Sequence, residues 1–353
     1  MIEGIVKLVD GRDLTSSEAE NVMSEIMSGK ATEAQVAAFL TALRVKGEKV
    51  EEIASFASAM RKFCTRIHPT VSDVLVDVVG TGGDKIKTFN ISTTSAFVAA
   101  GAGVLIAKHG NRSVTSCSGS ADVLEALGLN LKTPPSLVEK SIEVVGMGFM
   151  FAPAFHPAMK YAAKPRREIG IRTVFNLLGP LTNPADAQAQ LLGVYDENLT
   201  EPLAKVLDRL GVEKAMVVHG LDGLDEISTI GGTKITELTK GETSTLQLDP
   251  EHFGVIPAQR KDLEGSTPED SALITFNILS QKGCSRSNDP RKDIVLVNAA
   301  AAIYLGGKAE TINEGMQIAA ESIQSGSAYE KLKALVKFSE GDMSKLEELE
   351  KHA

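Results

Sequence analysis

Five short apolar runs recur between residues 74 and 218: VLVDVV at 74–79, VLIA at 104–107, FMF at 149–151, LLGVY at 191–195 and AMVV at 215–218. Helical patterns fall between them, at 93–100, 121–127, 138–145 and 199–210. Parallel strands need a crossover between them, and a helix is the usual one. The alternation therefore predicts an α/β fold with a central, mainly parallel sheet flanked by helices on both faces. It also fixes where to look for chemistry, because ligands of such sheets lie beyond the carboxyl ends of the strands.

Four of the runs end in unusual residues. The first leads into Gly80-Thr81-Gly82-Gly83-Asp84, the second into Lys108-His109-Gly110-Asn111-Arg112-Ser113. The third leads into Ala152-Pro153 and His156-Pro157, the fifth into His219-Gly220 and then Asp225-Glu226. These four loops are expected to converge on one crevice.

Outside this pattern the chain reads simply. The first 67 residues read as helices only, with capping-box spacings at 15–18 and 32–35 and a third helix over 50–63. A small helical bundle with an exposed apolar side is expected at 1–70, with dimerisation through that side as a natural extra role. An α/β domain is expected at 71–345. Within it a strand is predicted at 234–238, a loop-rich excursion at 241–265, and helices at 272–279 and 295–305. The last 25 residues read as one charged, solvated helix.

Composition narrows the function. A net charge of −9 argues against a nucleic-acid or anionic-membrane partner. The longest mostly apolar stretch, 96–107, is too short to span a bilayer, and the N-terminus lacks the pattern of a secretory leader. The three cysteines are far apart, which excludes a thiolate metal site. A cytoplasmic protein is expected.

Each strand-end motif admits two readings. Glycines at 80–83 let backbone N–H groups turn toward an anion, or make a plain tight connection. Asn90-Ile91-Ser92-Thr93 opens a helix, offering an anion site or simple N-capping. Lys108 to Arg112 is a solvated basic turn or a phosphate contact, and His109 reads as structural rather than as a base. Residues 160–172 carry Lys160, Lys164, Arg166, Arg167 and Arg172 against Glu168, and an apolar run follows at once. Partial burial there predicts an anionic partner for one of the arginines. Asp225-Glu226 is an acidic turn or, with a diphosphate nearby, a Mg²⁺ site built from oxygen ligands.

Taken together, these segments, with Gly119-Ser120-Ala121-Asp122, Gly170-Ile171-Arg172-Thr173, NLLGPLTN at 176–183 and Asp225-Glu226-Ile227-Ser228, resemble the anthranilate phosphoribosyltransferase family. The resemblance is in order and at compatible spacing up to about residue 340. Departures are Cys117 and the Lys164-Pro165 pair before Arg166. The resemblance implies transfer of a phosphoribosyl group from phosphoribosyl pyrophosphate to anthranilate. It assigns the pyrophosphate substrate to Gly80, Gly83, Asp84, Thr88, Asn90, Ile91, Ser92, Thr93, Lys108, His109, Gly110, Asn111, Arg112, Ser116 and Ser120. Anthranilate falls to Gly80, Asn111 and Arg166, with His109 and His156 along its approach. Mg²⁺ falls to Ser92, Asp225 and Glu226, and the catalytic roles to Lys108, Asp225 and Glu226. It also implies that a segment near 170–185 joins the helical domain, and a homodimer through that domain. Two alternatives share the architecture: a pyrimidine nucleoside phosphorylase, and a non-enzymatic nucleic-acid-binding module.

Overall fold

The computed structural model describes residues 1–83, 86–113, 118–282 and 289–352, the side chain of the last one aside. Four helices come first: α1 (Ile2–Val9), α2 (Ser16–Met27), α3 (Glu33–Lys46) and α4 (Val50–Lys62). Both capping boxes form, Thr15 with Glu18 and Thr32 with Gln35. α1 precedes the first helix expected from the sequence. It is amphipathic but only eight residues long, with Gly4 inside it and no capping side chain to mark its start. Gly4 is needed because α1 packs so close to α2 that a Cβ there would come 2.8 Å from Val22. Phe39 and Phe56 meet edge to face at 5.7 Å in the centre of the bundle.

The α/β part follows as β1 (Leu75–Gly80), α5 (Ile91–Gly101), β2 (Leu105–Gly110), α6 (Ser120–Ala126), α7 (Pro135–Val145) and β3 (Met147–Phe151). Then come α8 (Ala152–Phe155), α9 (Lys160–Ile169), α10 (Phe175–Leu178), β4 (Ala189–Gly193), α11 (Thr200–Arg209) and β5 (Lys214–Gly220). The sheet order is β3-β2-β1-β4-β5-β6-β7, with β6 (Thr233–Thr239) and β7 (Glu242–Leu248). The first five strands are mutually parallel; β6 and β7 are antiparallel additions. Chain order runs outward from β1 in one direction and from β4 in the other, so the topological switch lies between these two strands, where a crevice opens.

Strand alternation sends successive residues to opposite faces. In β5, Met216 and Val218 join the core under α5, α12 (Pro268–Ser280) and α13 (Pro290–Leu305), while Ala215 and Val217 join the core of the helical bundle. Phe175, Leu177 and Leu178 of α10 also belong to the bundle core. The bundle is thus packed onto one sheet face through α11 and α10.

Three expectations are corrected. Residues 241–265 are not all loop, since β7 runs through them. It is an edge strand with exposed polar residues on both faces, so it lacks the alternation that marks a half-buried strand. The C-terminal segment is not one solvated helix: after α14 (Ile312–Gln324) come α15 (Ser327–Phe338) and α16 (Ser344–His352). α15 buries Leu332, Leu335 and Val336 against α5. Lys108, His109 and Gly110 are the last residues of β2, paired with β3, rather than loop.

Candidate active site

A cleft of about 320 Å³ opens at the carboxyl ends of the strands. It is lined by Gly80, Thr88, Asn90, Ile91, Ser92, Thr93, Lys108, His109, Gly110, Asn111, Arg112, Ser120, Arg166, Asp225 and Glu226, among others. The convergence expected of the strand ends is therefore realised. Gly83 and His156 stand outside this lining, and Asp84 and Ser116 lie outside the described residues. His156 is buried behind His109, ring centroids 5.0 Å apart.

The glycine turn is held residue by residue. Thr81 N–H donates to Gly193 O at 2.9 Å, Gly82 N–H donates to Asp225 Oδ2 at 2.8 Å, and Gly83 O accepts from Arg172 Nη2 at 2.6 Å. Gly82 and Gly83 have φ of 65° and 81°, a region that disfavours any side chain. Gly80 is required for a different reason: a Cβ there would lie 2.5 Å from Asp225 Oδ2.

Asp225 and Glu226 ride on the loop after β5, anchored by Asn298 of α13. That buried side chain accepts from Ile227 N–H at 3.0 Å and donates to Ile227 O at 2.9 Å. Glu226 is buried and Asp225 half-buried at the cleft wall. Burial, then the charge of Asp225, pushes Glu226 up to about 8; burial also raises Asp225, against the Gly82 N–H that favours its charged form. Two adjacent carboxylates that resist ionising together suit a divalent cation. Among the described residues no group of three or more His, Cys, Asp or Glu side chains is gathered. An ion held here would complete its shell with hydroxyl, water or substrate oxygens, which fits Mg²⁺.

α5 begins at the cleft with no side-chain cap, and Ser92 N–H donates to Glu226 Oε1 at 3.1 Å. Simple capping by Ser92 or Thr93 is therefore not what this helix start shows, since Asn90 is its N-cap residue and reaches instead to Ser118 O at 3.1 Å. A helix start is a site for negative charge. Lys108 is buried and donates to Val78 O. Burial lowers its pKa, opposed by Asp77 and Glu226.

His109 Nδ1 faces Gly179 O at 3.2 Å, which assigns the proton to Nδ1 and leaves Nε2 a lone pair with no partner among the described residues. Desolvation holds His109 down to about 3 and His156 to about 4, so both rings are neutral. Arg166 lies 5.1 Å over the Phe175 ring. The ion pair of the basic segment belongs to exposed Lys164, on Glu33 at 2.5 Å. Among the described residues none is formed by Arg166, Arg167 or Arg172, so the anionic partner expected for an arginine is not a protein carboxylate there. Arg112 pairs with Asp122 and Glu125, each at 2.8 Å.

Four contributors escaped the sequence reading. Asp77 is fully buried in β1; it accepts from Asn183 Nδ2 at 2.7 Å and His109 N–H at 3.2 Å, and burial pushes it up to about 6. A carboxylate inside VLVDVV was the available signal. Asn183 was noticed only within a motif. Tyr195 and Asn298 carry no signal, since an aromatic after a strand and a polar residue in an apolar helix are both common.

The chain is similar throughout to known proteins. Family models match residues 3–64 (glycosyl transferase family, helical bundle domain) and 72–329 (glycosyl transferase family, a/b domain). An anthranilate phosphoribosyltransferase of Moorella thermoacetica is 55% identical over 335 residues, covering 94% of this chain and 96% of its own. The crystal structure of the Thermus thermophilus anthranilate phosphoribosyltransferase has a TM-score of 0.89 at 42% identity, covering 96% of this chain and 99% of that one. The Saccharomyces cerevisiae enzyme, solved in complex with phosphoribosyl pyrophosphate and Mg, has a TM-score of 0.88 at 33% identity over 96% of this chain and 97% of that one. The chain belongs to the glycosyl transferase family that joins a helical bundle to an α/β domain, in its anthranilate phosphoribosyltransferase branch.

Proposed function

We propose that the chain transfers the 5-phosphoribosyl group of phosphoribosyl pyrophosphate to the amino group of anthranilate, releasing pyrophosphate, as a step of tryptophan biosynthesis. The observation that carries this reading is the shared cleft. There the start of α5, Lys108, the glycine turn and the Asp225-Glu226 carboxylate pair face the same space. Residence in the cytoplasm accords with it, and among the described residues no helix is long and apolar enough to cross a membrane.

In the reaction the anomeric C–O bond to pyrophosphate breaks and a C–N bond to the amine forms, through an oxocarbenium-like state. The nitrogen then releases its proton. Mg²⁺ bound by Asp225, Glu226 and Ser92 supplies neutralisation of the negative charge that builds on the leaving group. Lys108 adds a cation beside the same space, the helix dipole of α5 starts there, and the turn at Gly80–Gly83 lets the phosphates approach the main chain closely. Asp84, Thr88, Asn90, Ile91, Thr93, Gly110, Asn111, Arg112, Ser116 and Ser120 complete the assignment to this substrate. Arg166 pairs with the anthranilate carboxylate and aims the ring, with Gly80 and Asn111 beside it.

The amine is already neutral and its nitrogen turns acidic once the bond forms, so positioning and electrostatics suffice without a dedicated base. His109→Asn is expected to keep turnover within about 10-fold, since it removes far less than the 10²–10⁴ of an essential acid–base group. Abolished turnover with intact substrate binding would overturn this. The direct test of the function is loss of anthranilate fluorescence when phosphoribosyl pyrophosphate and Mg²⁺ are added, with phosphate plus thymidine as the control that should give no product.

The residues 1–70, joined by the segment near 170–185, serve in this reading as a helical domain that hinges on the domain at 71–345. A homodimer through the helical domain is supported by α1, which exposes Ile2, Val6 and Val9 along one stripe, with exposed Val45 on α3.

A further inference from the structure

Arg172, like Lys160 and Arg167, is a member of the basic segment that neither the anthranilate reading nor an ion pair among the described residues accounts for. It stands between α9 and α10, on the acceptor side of the cleft. Its Nη2 nevertheless donates to Gly83 O at 2.6 Å, and its guanidinium lies 4.1 Å over the Tyr195 ring. Tyr195 in turn donates its main-chain N–H to Thr81 Oγ1 at 3.2 Å, so Thr81 and Gly83 are tied to two residues that stack on each other. Gly82 and Gly83 have the widest conformational freedom of any residues, and two in succession do not hold a turn by themselves. A planar, stacked guanidinium with one N–H on a carbonyl fixes position better than a flexible ammonium.

We infer that Arg172 is a positioning residue for phosphoribosyl pyrophosphate, acting through Gly83 to hold in place the glycine turn that lines the phosphate end of the cleft. The inference rests on the function proposed above. It makes the segment that presents the acceptor also responsible for the donor's binding turn.

The test compares Arg172→Ala, Arg172→Lys and Arg166→Ala with the unaltered enzyme. Phosphoribosyl pyrophosphate binding with Mg²⁺ is measured by calorimetry, and KM for each substrate by fluorescence. Arg172→Ala should raise Kd and KM for phosphoribosyl pyrophosphate about 10-fold, the weight of one charge-assisted hydrogen bond, with anthranilate KM within about 2-fold. Arg172→Lys, which keeps the charge and can reach Gly83 O without the stacking, should fall between. Arg166→Ala should show the reverse split. Equal rises for both substrates, or unchanged phosphoribosyl pyrophosphate affinity in Arg172→Ala, would overturn the positioning role. Should Arg172→Ala not fold, a lysine variant indistinguishable from the unaltered enzyme overturns it. If the unaltered enzyme binds neither substrate, the functional reading fails first and this inference with it.

Discussion

On the side of the cleft proposed to take the phosphates, the lining groups are main chain or are side chains fixed close to the sheet. Thr81, Gly82 and Gly83 are each tied to a different element, and the Asp225-Glu226 loop is pinned by the buried Asn298. The acceptor side is made otherwise. Arg166 and Phe175 come from α9 and α10, and Phe175 and Ala162 pack in the core of the helical bundle rather than in the core beneath α5 and α13. One side is therefore preorganised by the sheet, while the other is carried by whatever the bundle does. Preorganised dipoles cost no reorganisation during reaction, which suits the end where charge develops. An aromatic acceptor needs placement more than charge stabilisation, which packed helices supply.

That contrast can be broken by mutation. Asp225→Asn with Glu226→Gln, on the phosphate side, is expected to lower turnover by about 10²–10³, the scale of losing charge stabilisation in the transition state. It should also move the Mg²⁺ requirement upward; a metal titration that superimposes on that of the unaltered enzyme would sink the ligand role. Arg166→Ala, on the acceptor side, should raise anthranilate KM by about 10–100-fold and change phosphoribosyl pyrophosphate KM little, as for one lost charge-assisted pair. Steady-state kinetics with each substrate varied in turn would expose a failure, which is an equal effect on both.

A third prediction concerns the boundary between the two sides, where His109 and His156 stack. Their folded pKa values, about 3 and about 4, lie below the ordinary histidine value. The unfolded chain thus binds protons that the folded chain refuses. Stability is fully present above about 6.5 and is lost as pH falls toward 4, by up to about 1.4 kcal/mol per pH unit for each ring. Asp77 acts the other way, since its folded value of about 6 exceeds the ordinary carboxylate value, and it regains stability as pH falls through 6. Glu226, pushed up to about 8, acts with Asp77 against the two rings, so the variant is read by difference. In denaturant melts between pH 4 and 7, His156→Phe should gain stability relative to the unaltered protein as pH falls, and an unchanged difference would contradict burial of a neutral ring. The smallest effect on the folded protomer is expected for Val6→Glu on exposed α1, within about 0.5 kcal/mol. Sedimentation should nonetheless show dissociation of the dimer, and an intact dimer would redirect the interface elsewhere.

Much of this was legible in advance because it is local. The βαβ rhythm, the capping boxes and the strand-end motifs each occupy a few consecutive residues, and strand polarity alone brings those motifs together. Elements that failed the local test were missed: α1 for its length and Gly4, β7 for having no buried face. Contacts that span the chain were also beyond reach. Asp77 meets Asn183, and Gly83 meets Arg172, across 106 and 89 positions respectively.

The sequence by itself determined the parallel sheet, the crevice at its strand ends and the chemical type of each group lining it, because periodicity and residue chemistry are properties of short segments. Only the tertiary structure decided how those groups are held. Burial raises the pKa of Glu226 and lowers those of His109 and Lys108, and the direction in which Arg172 reaches ties it to Gly83. Neither exists until distant segments exclude water from one another.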